Sequence, residues 1–196
     1  MKRFIASLLT IFALALPALA SATTWTIDPE HSNIGFKVKH LMVSNVKGNF
    51  EKHSGTVDID DKNITKSKVE VTIDTNSIST GVQKRDDHLR SADFFDVAKF
   101  PAMTFVSKKV AKAGKDKLKV TGDLTLHGVT KEVVLDVEGP SKESKDPWGN
   151  IRKGATATTK INRKDFGLNW NKALETGGVL VGEEIAINLE IEMVKK

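Results

Sequence analysis

Hydrophobic and polar residues alternate with a period of two through most of this chain. The pattern is clearest near the C-terminus, where Ile185, Ile187, Leu189, Ile191 and Met193 alternate with acidic, amide and alanine residues. Successive side chains of a β-strand point to opposite faces of the sheet. The pattern therefore predicts a strand with one fully apolar face.

Other segments repeat this alternation, at residues 34–38, 57–59, 69–73, 118–126 and 133–137. Turns rich in Gly, Asn, Asp and Pro separate them. One-sided alternation is typical of antiparallel sheets, because parallel sheets are covered on both faces. The predicted fold class is all-β, with about eight antiparallel strands in a barrel or sandwich.

A charged segment, RDDHLRSADFFDVAKFP at residues 85–101, interrupts the β pattern. Val82, Arg85 and Leu89 have the spacing of one helical face, and Ser91 suits the N-cap of a second short turn. Pro101 biases the residue before it toward an extended conformation, which favours a new strand. We therefore predict a short helical insert near residues 82–96 that closes one end of the β structure.

The N-terminus has the features of a secretory signal peptide. Lys2 and Arg3 precede an apolar run at residues 4–16, and small residues follow it. The alternative, a membrane anchor, is disfavoured because the run is short for a membrane span. We predict a signal peptide at residues 1–22, cleaved after Ala22 or alternatively after Ala20, and a protein located in the periplasm.

The remaining chain, residues 23–196, is predicted to form a single domain. It has 174 residues and a net charge of +3, because the signal peptide removes two of the 30 basic residues and none of the 25 acidic ones. The cations are dispersed, so we predict no nucleic-acid partner, although transient contact with an anionic membrane surface is compatible with them. An unpaired apolar strand edge would permit a homodimer.

Composition and motifs disfavour catalysis. The chain contains no cysteine, which excludes thiol chemistry and cysteine-based zinc sites, and it contains no GxSxG motif. The histidines show neither an i,i+4 pair nor an HxH motif; they are His31, His40, His53, His88 and His127. We predict that they are exposed or hydrogen-bonded structural residues, that the protein is not an enzyme, and that it holds no metal and no cofactor.

The charged insert allows two interpretations. His88 and Arg90 could contact the polar head of a ligand at the mouth of a barrel. Alternatively, the charges hold the fold together, with Arg90 or Arg85 pairing with a carboxylate such as Asp93 or Asp165.

Several apolar and aromatic residues outside the predicted strands also have predicted roles. Leu41 and Met42 are apolar residues in a predicted connection, so they either pack under a neighbour or form part of a cavity portal. Phe166 is expected to insert its ring into the core. Trp148 is expected to pin the loop around it, and Trp170 is interpreted as a lid or an interface residue.

Several separated segments together carry a family resemblance. Besides the insert, they are HSNIGFKVKH at residues 31–40, GNFEKHSG at 48–55, GDLTLHGVTK at 122–131 and RKDFG at 163–167. With these motifs the chain resembles the YceI family of periplasmic lipid- or polyisoprenoid-binding proteins. The resemblance implies a lipocalin-like antiparallel barrel with a long apolar cavity.

The strand pattern alone favours a close-packed interior, because protein interiors are normally filled. The cavity is expected on the strength of the resemblance. The residues predicted to line the cavity or its portal are Phe36, Val38, Leu41, Met42, Phe50, Val71, Ile73, Phe94, Phe105, Leu124, Leu126, Leu135, Phe166, Ile187 and Leu189, with His88 and Arg90 at a polar mouth.

The leading functional hypothesis is a periplasmic carrier for a long-chain amphiphile. The resemblance implies a polyisoprenoid, an isoprenoid quinone or a fatty-acid-like lipid as cargo. The alternative is a packed, ligand-free barrel that acts in the envelope stress response through a protein partner.

Overall fold

The computed structural model describes residues 22–175 and 177–196. Twelve β-strands and one α-helix follow one another within them. In chain order they are β1 (Thr23–Ile27), β2 (Asn33–His40), β3 (Ser44–Phe50), β4 (His53–Ile59), β5 (Lys68–Asp74), β6 (Ile78–Ser79), α1 (Gln83–Arg90), β7 (Ala102–Gly114), β8 (Lys117–Leu126), β9 (Val129–Glu138), β10 (Ser144–Lys145), β11 (Ile151–Asn162) and β12 (Val181–Lys195).

These strands build a closed antiparallel barrel. β1 and β2 lie end to end and both pair with β12, while β3 and β4 lie end to end beside them. β5, β7, β8, β9 and β11 follow around the ring, and β11 pairs with β12 to close it. The predicted fold class, an all-β antiparallel lipocalin-like barrel, is confirmed, with eight strands in the ring. Closure is favourable because it pairs the exposed edges that an open sheet would leave.

The apolar face of each strand points into the barrel. Val71, Phe105 and Leu124 are direct partners across β5, β7 and β8, and all three face inward. The ring of Phe105 packs over Gly122, where a Cβ atom would lie only 2.5 Å from the Phe105 Cζ. Because Gly122 has no side chain, the Phe105 ring can lie directly against the sheet.

The predicted helical insert is confirmed and covers one end of the barrel. The helix occupies Gln83–Arg90, and Leu89 at its end packs against the main core cluster together with Phe94, a buried member of that cluster. The chain then turns at Ser91, whose carbonyl oxygen accepts a 3.1 Å hydrogen bond from the Phe94 N–H. β7 begins directly after Pro101, as the extended bias before a proline predicts.

Trp25 and Lys153 cover the opposite end. Trp25 is fully buried, and the Lys153 Nζ atom lies 4.9 Å from the centroid of its ring, which is a cation–π contact. The same ammonium group lies 3.6 Å from the Asp61 carboxylate. The barrel is therefore covered at one end mainly by apolar groups and at the other by a ring with a charged group over it.

The predicted signal peptide lies outside the described residues except for Ala22, so its cleavage stays a prediction. Among residues 22–175 and 177–196, no helix has both the length and the apolar character needed to cross a membrane.

Candidate functional site

The barrel encloses an apolar cavity of about 280 Å³. Its wall is made of Val, Ile, Leu, Phe and other apolar residues from around the ring, and the polar residues that border it are Ser67, Thr156, Thr159 and Arg163. The close-packed interior favoured by the strand pattern alone is therefore wrong. An eight-stranded barrel has room for a small ligand when its inward side chains are modest in size, as these are.

Most of the predicted wall residues do line this cavity. They are Phe36, Val38, Phe50, Val71, Ile73, Phe94, Phe105, Leu124, Leu126, Leu135, Ile187 and Leu189. They come together because each occupies an inward position of a strand or, for Phe94, the insert that covers the end. Their contact with a ligand stays a prediction.

Phe166 does not line the cavity, although it was predicted to. It ends the 3₁₀ turn Arg163–Phe166 and is buried in the main core cluster, where it packs with Leu168. The turn is held by the Asn162 side chain, which accepts a 3.0 Å hydrogen bond from the Lys164 N–H. Phe166 therefore fills the core near the end of the barrel.

Leu41 and Met42 lie at the tip of the hairpin between β2 and β3, away from the cavity wall. Met42 is 55% exposed, and both residues have left-handed backbone angles, with φ of 52° and 60°. The Val43 N–H donates a 3.1 Å hydrogen bond to the His40 carbonyl across this turn. Neither residue packs under a neighbour, and a role in a portal stays a prediction.

Arg90 holds the insert to the barrel, His88 forms a hydrogen bond within the insert, and neither residue borders the cavity. The His88 Nε2 atom lies 2.8 Å from an Asp93 carboxylate oxygen. Arg90 donates hydrogen bonds of 2.8 Å to the carbonyl oxygens of Asn76 and Ile78. The structure thus uses these side chains for internal contacts, although Arg90 pairs with Asp87 and not with the expected Asp93 or Asp165.

Trp170 and Trp148 lie in different surroundings. The ring of Trp170 packs against Phe94 and His88, so it helps to cover the insert end of the barrel. Trp148 does not pin its loop, because it is 83% exposed. Asp146 holds that loop instead, since its carboxylate accepts hydrogen bonds from the Trp148 N–H at 3.0 Å and from Arg152 at 2.8 Å.

Arg163 is a wall residue that sequence reasoning missed. The residue is only 4% exposed, and its Nε donates a 2.9 Å hydrogen bond to the Gly182 carbonyl, with further bonds to the carbonyl oxygens of Leu168 and Val181. Burial lowers the pKa of Arg163, and the negative charge of Glu183 opposes this shift. The RKDFG segment marks the residue in the sequence, but strand periodicity says nothing about it.

Arg152 organises a network of carboxylates at the other end of the barrel. Its Nη1 atom lies 2.6 Å from both Asp28 Oδ2 and Glu192 Oε1. Potential ligand atoms of Asp28, His31 and Glu192 lie within 4.8 Å of one another, but the guanidinium already supplies positive charge to these carboxylates. The hydrogen bond from Arg152 lowers the pKa of Asp28 to about 2. The cluster is therefore an ion-pair network that joins β1, β11 and β12.

His53 contradicts the expectation for the histidines, because it is neither exposed nor hydrogen-bonded. It is only 8% exposed, and neither ring nitrogen has a hydrogen-bond partner among the described residues. It lies in the GNFEKHSG segment, but its burial depends on the strands that folding packs around it.

A closed antiparallel barrel around an apolar cavity defines the class of lipocalin-like β-barrels. The sequence model of the YceI-like domain matches residues 25–193, and the chain belongs to this family. A UPF0312 protein of Vibrio parahaemolyticus is 46% identical over 156 residues, which cover 79% of this chain and 82% of that protein. A UPF0312 protein of Staphylococcus aureus is 42% identical over 172 residues, covering 87% and 96% respectively.

Solved structures show the same fold. The YCEI protein of Campylobacter jejuni is 39% identical, with a TM-score of 0.68 and coverage of 86% of this chain and 96% of that one. BcnA of Burkholderia cenocepacia is 25% identical, with a TM-score of 0.72 and coverage of 85% and 98%. A polyisoprenoid-binding domain from Saccharophagus degradans, 17% identical with a TM-score of 0.64 and coverage of 89% and 99%, is similar in fold.

Proposed function

We propose that this protein is a periplasmic carrier that holds one long-chain amphiphile in the barrel cavity. The cargo is a polyisoprenoid, an isoprenoid quinone or a fatty-acid-like lipid. The observation that carries the proposal is the extent of the apolar wall. It runs from Leu89 and Phe95 of the insert to Ile64 and Pro140 at the opposite end.

Burial of a hydrocarbon chain in this cavity is energetically favourable. Each buried methylene group contributes about 0.8 kcal/mol, so a chain of about twelve carbons gains roughly 10 kcal/mol before ordering costs. Binding also loses translational and conformational freedom, which offsets a substantial part of that gain. Along most of the wall no polar side chain has to lose its hydrogen bonds to admit the chain.

Binding is a better match to the wall than catalysis. Arg163 donates hydrogen bonds to backbone carbonyl groups, and the other polar wall residues are Ser67, Thr156 and Thr159. Long apolar molecules are nearly insoluble in the aqueous periplasm, so a carrier is needed to keep them in solution there. The signal-peptide features at residues 1–22 support export. The Saccharophagus degradans domain of the same fold is a polyisoprenoid-binding domain, which supports the proposed class of cargo.

Native mass spectrometry tests the proposal on protein purified from its own periplasm, followed by extraction with organic solvent. We expect a stoichiometric adduct of a few hundred daltons that extracts as an isoprenoid or acyl chain. A mass without adduct, unchanged after incubation with quinones and fatty amides, would contradict the proposal and favour a partner-binding barrel. Recovery of the protein without its signal peptide from the periplasmic fraction tests the location.

A charge placed on the wall tests the location of the cargo. Val71 borders the cavity, whereas Val106 on the neighbouring strand β7 is exposed. We expect Val71→Asp to abolish lipid retention, because an unpaired carboxylate is strongly disfavoured in an apolar cavity. Phe36→Asp should act in the same way, and Val106→Asp should retain the adduct. Retention of lipid by folded Val71→Asp would show that the lipid lies elsewhere.

A further inference from the structure

The inner face of the barrel carries one histidine whose polar atoms are unpaired. His53 begins β4 and is the direct partner of Ile73 on β5. Directly opposed residues of neighbouring strands project to the same face of a sheet, and Ile73 borders the cavity. Val57 and Ile59, further along the same face of β4, also border it. The Cβ atom of His53 therefore points toward the interior.

His53 is a polar side chain on a face of the barrel that is otherwise mostly apolar. A neutral imidazole has one hydrogen-bond donor and one acceptor. In His53 both nitrogens are buried and have no partner among the described residues. Buried polar groups are nearly always satisfied by protein, water or ligand. The other inward positions of β4 are Gly55, Val57 and Ile59, so this strand offers no second polar side chain on that face.

We infer that His53 is an internal hydrogen-bonding site for the cargo, an inference that rests on the proposed carrier function. The ring lies beside the residues that border the empty volume. His53 itself is not among the residues that border the cavity. Binding therefore includes a rotation about its side-chain bonds that brings a ring nitrogen to the cargo. The site selects an amphiphile whose hydrogen-bonding group enters the barrel and is not left at its mouth.

The site favours a neutral polar group, such as a hydroxyl, carbonyl or amide. A charged head would lose its hydration here and would need a paired counter-charge. Ile73, the inward residue directly across from His53, supplies none. A neutral group needs one hydrogen bond, which the imidazole can donate or accept.

Two probes that differ only in the polar group test the inference. Hexadecanol and hexadecane are each used to displace an apolar fluorescent dye from delipidated protein. The measured quantity is the ratio of the Kd for the alkane to the Kd for the alcohol. We expect this ratio to be about five- to tenfold larger for wild-type protein than for His53→Phe, which is the effect of one hydrogen bond. Both proteins should bind the alkane with similar affinity. His31→Phe, at an exposed histidine, serves as the control and should behave as wild type.

A second measurement needs no substitution. In protein with isotopically labelled histidine, hexadecanol should shift the ring nitrogen resonances of His53, and hexadecane should not. Equal alcohol-to-alkane preference in wild-type and His53→Phe protein, or no alcohol-specific shift at His53, would overturn the inference. Binding of both probes without any dependence on His53 leaves the carrier proposal intact. Binding of neither probe by wild-type protein overturns both.

Discussion

Ala157 offers a direct test of whether the barrel is hollow. It lies on β11 between Val137 of β9 and Leu189 of β12, and all three residues border the cavity. Ala157→Leu adds three carbons to the wall. In a close-packed interior such an addition costs about 1–3 kcal/mol, because neighbouring side chains have to move. In a cavity the added carbons bury apolar surface and stabilise the fold.

The expected gain follows from the size of the change. At about 0.8 kcal/mol for each buried methylene the transfer gain is roughly 2.4 kcal/mol. Loss of rotamer freedom by the new leucine reduces it by about 0.5–1 kcal/mol. We therefore expect Ala157→Leu to stabilise delipidated protein by about 1–2 kcal/mol, which raises the Tm by roughly 2–8 °C for a domain of this size.

Urea unfolding of delipidated protein measures this change. Ala186→Leu is the matched control, because Ala186 is paired with the exposed residues Lys37 and Lys160 on the outer face of the barrel. The control should change stability by less than about 0.5 kcal/mol. A loss of more than about 1 kcal/mol in Ala157→Leu at an unchanged m-value would refute the reasoning, because it would show close packing at β11.

Three further predictions concern stability. Gly122→Ala should cost about 1–3 kcal/mol in thermal unfolding, because the new Cβ would meet the Phe105 ring and, at 2.6 Å, the Val106 carbonyl oxygen; an unchanged Tm would contradict this packing. The pKa of Asp28 is lowered from 3.8 to about 2, so its contribution is complete above about pH 4 and is lost as the pH falls toward 2. In urea unfolding, Asp28→Asn should remove this loss of stability at low pH. The same dependence of the unfolding free energy on pH in the variant and in wild type would contradict the prediction. Trp148→Ala should change the unfolding free energy by less than about 0.5 kcal/mol, because the ring is exposed; a larger loss would show that the ring does hold its loop.

The strands and the insert could be predicted because their signals are local. Alternation at residues 185–193 depends only on the positions of neighbouring residues, and β12 follows it closely. The break at residues 85–101 likewise predicted α1 and the start of β7 after Pro101. The short breaks between β1 and β2 and between β3 and β4, which leave each pair end to end in the barrel, were not predicted.

The polar residues around the cavity were harder to predict. His88 and Arg90 stand in a charged insert, which suggested a ligand mouth, but both are bonded within the protein. Arg163 and His53 lie in segments that carry the family resemblance, but strand periodicity assigns neither of them a role; the structure places one in the wall and the other on the inner face. Their importance depends on burial, and burial is a property of the neighbours that folding brings together.

The sequence by itself determined which residues form strands, which faces are apolar and where the helical insert interrupts them. These properties follow from side-chain periodicity and backbone preferences over a few residues. Only the tertiary structure decided that the apolar faces enclose a cavity and do not fill it. The size of that space depends on how eight strands close into a ring and on how far each inward side chain reaches. The same closure buried His53 without a hydrogen-bond partner among the described residues, because burial depends on the strands that folding packs around a residue.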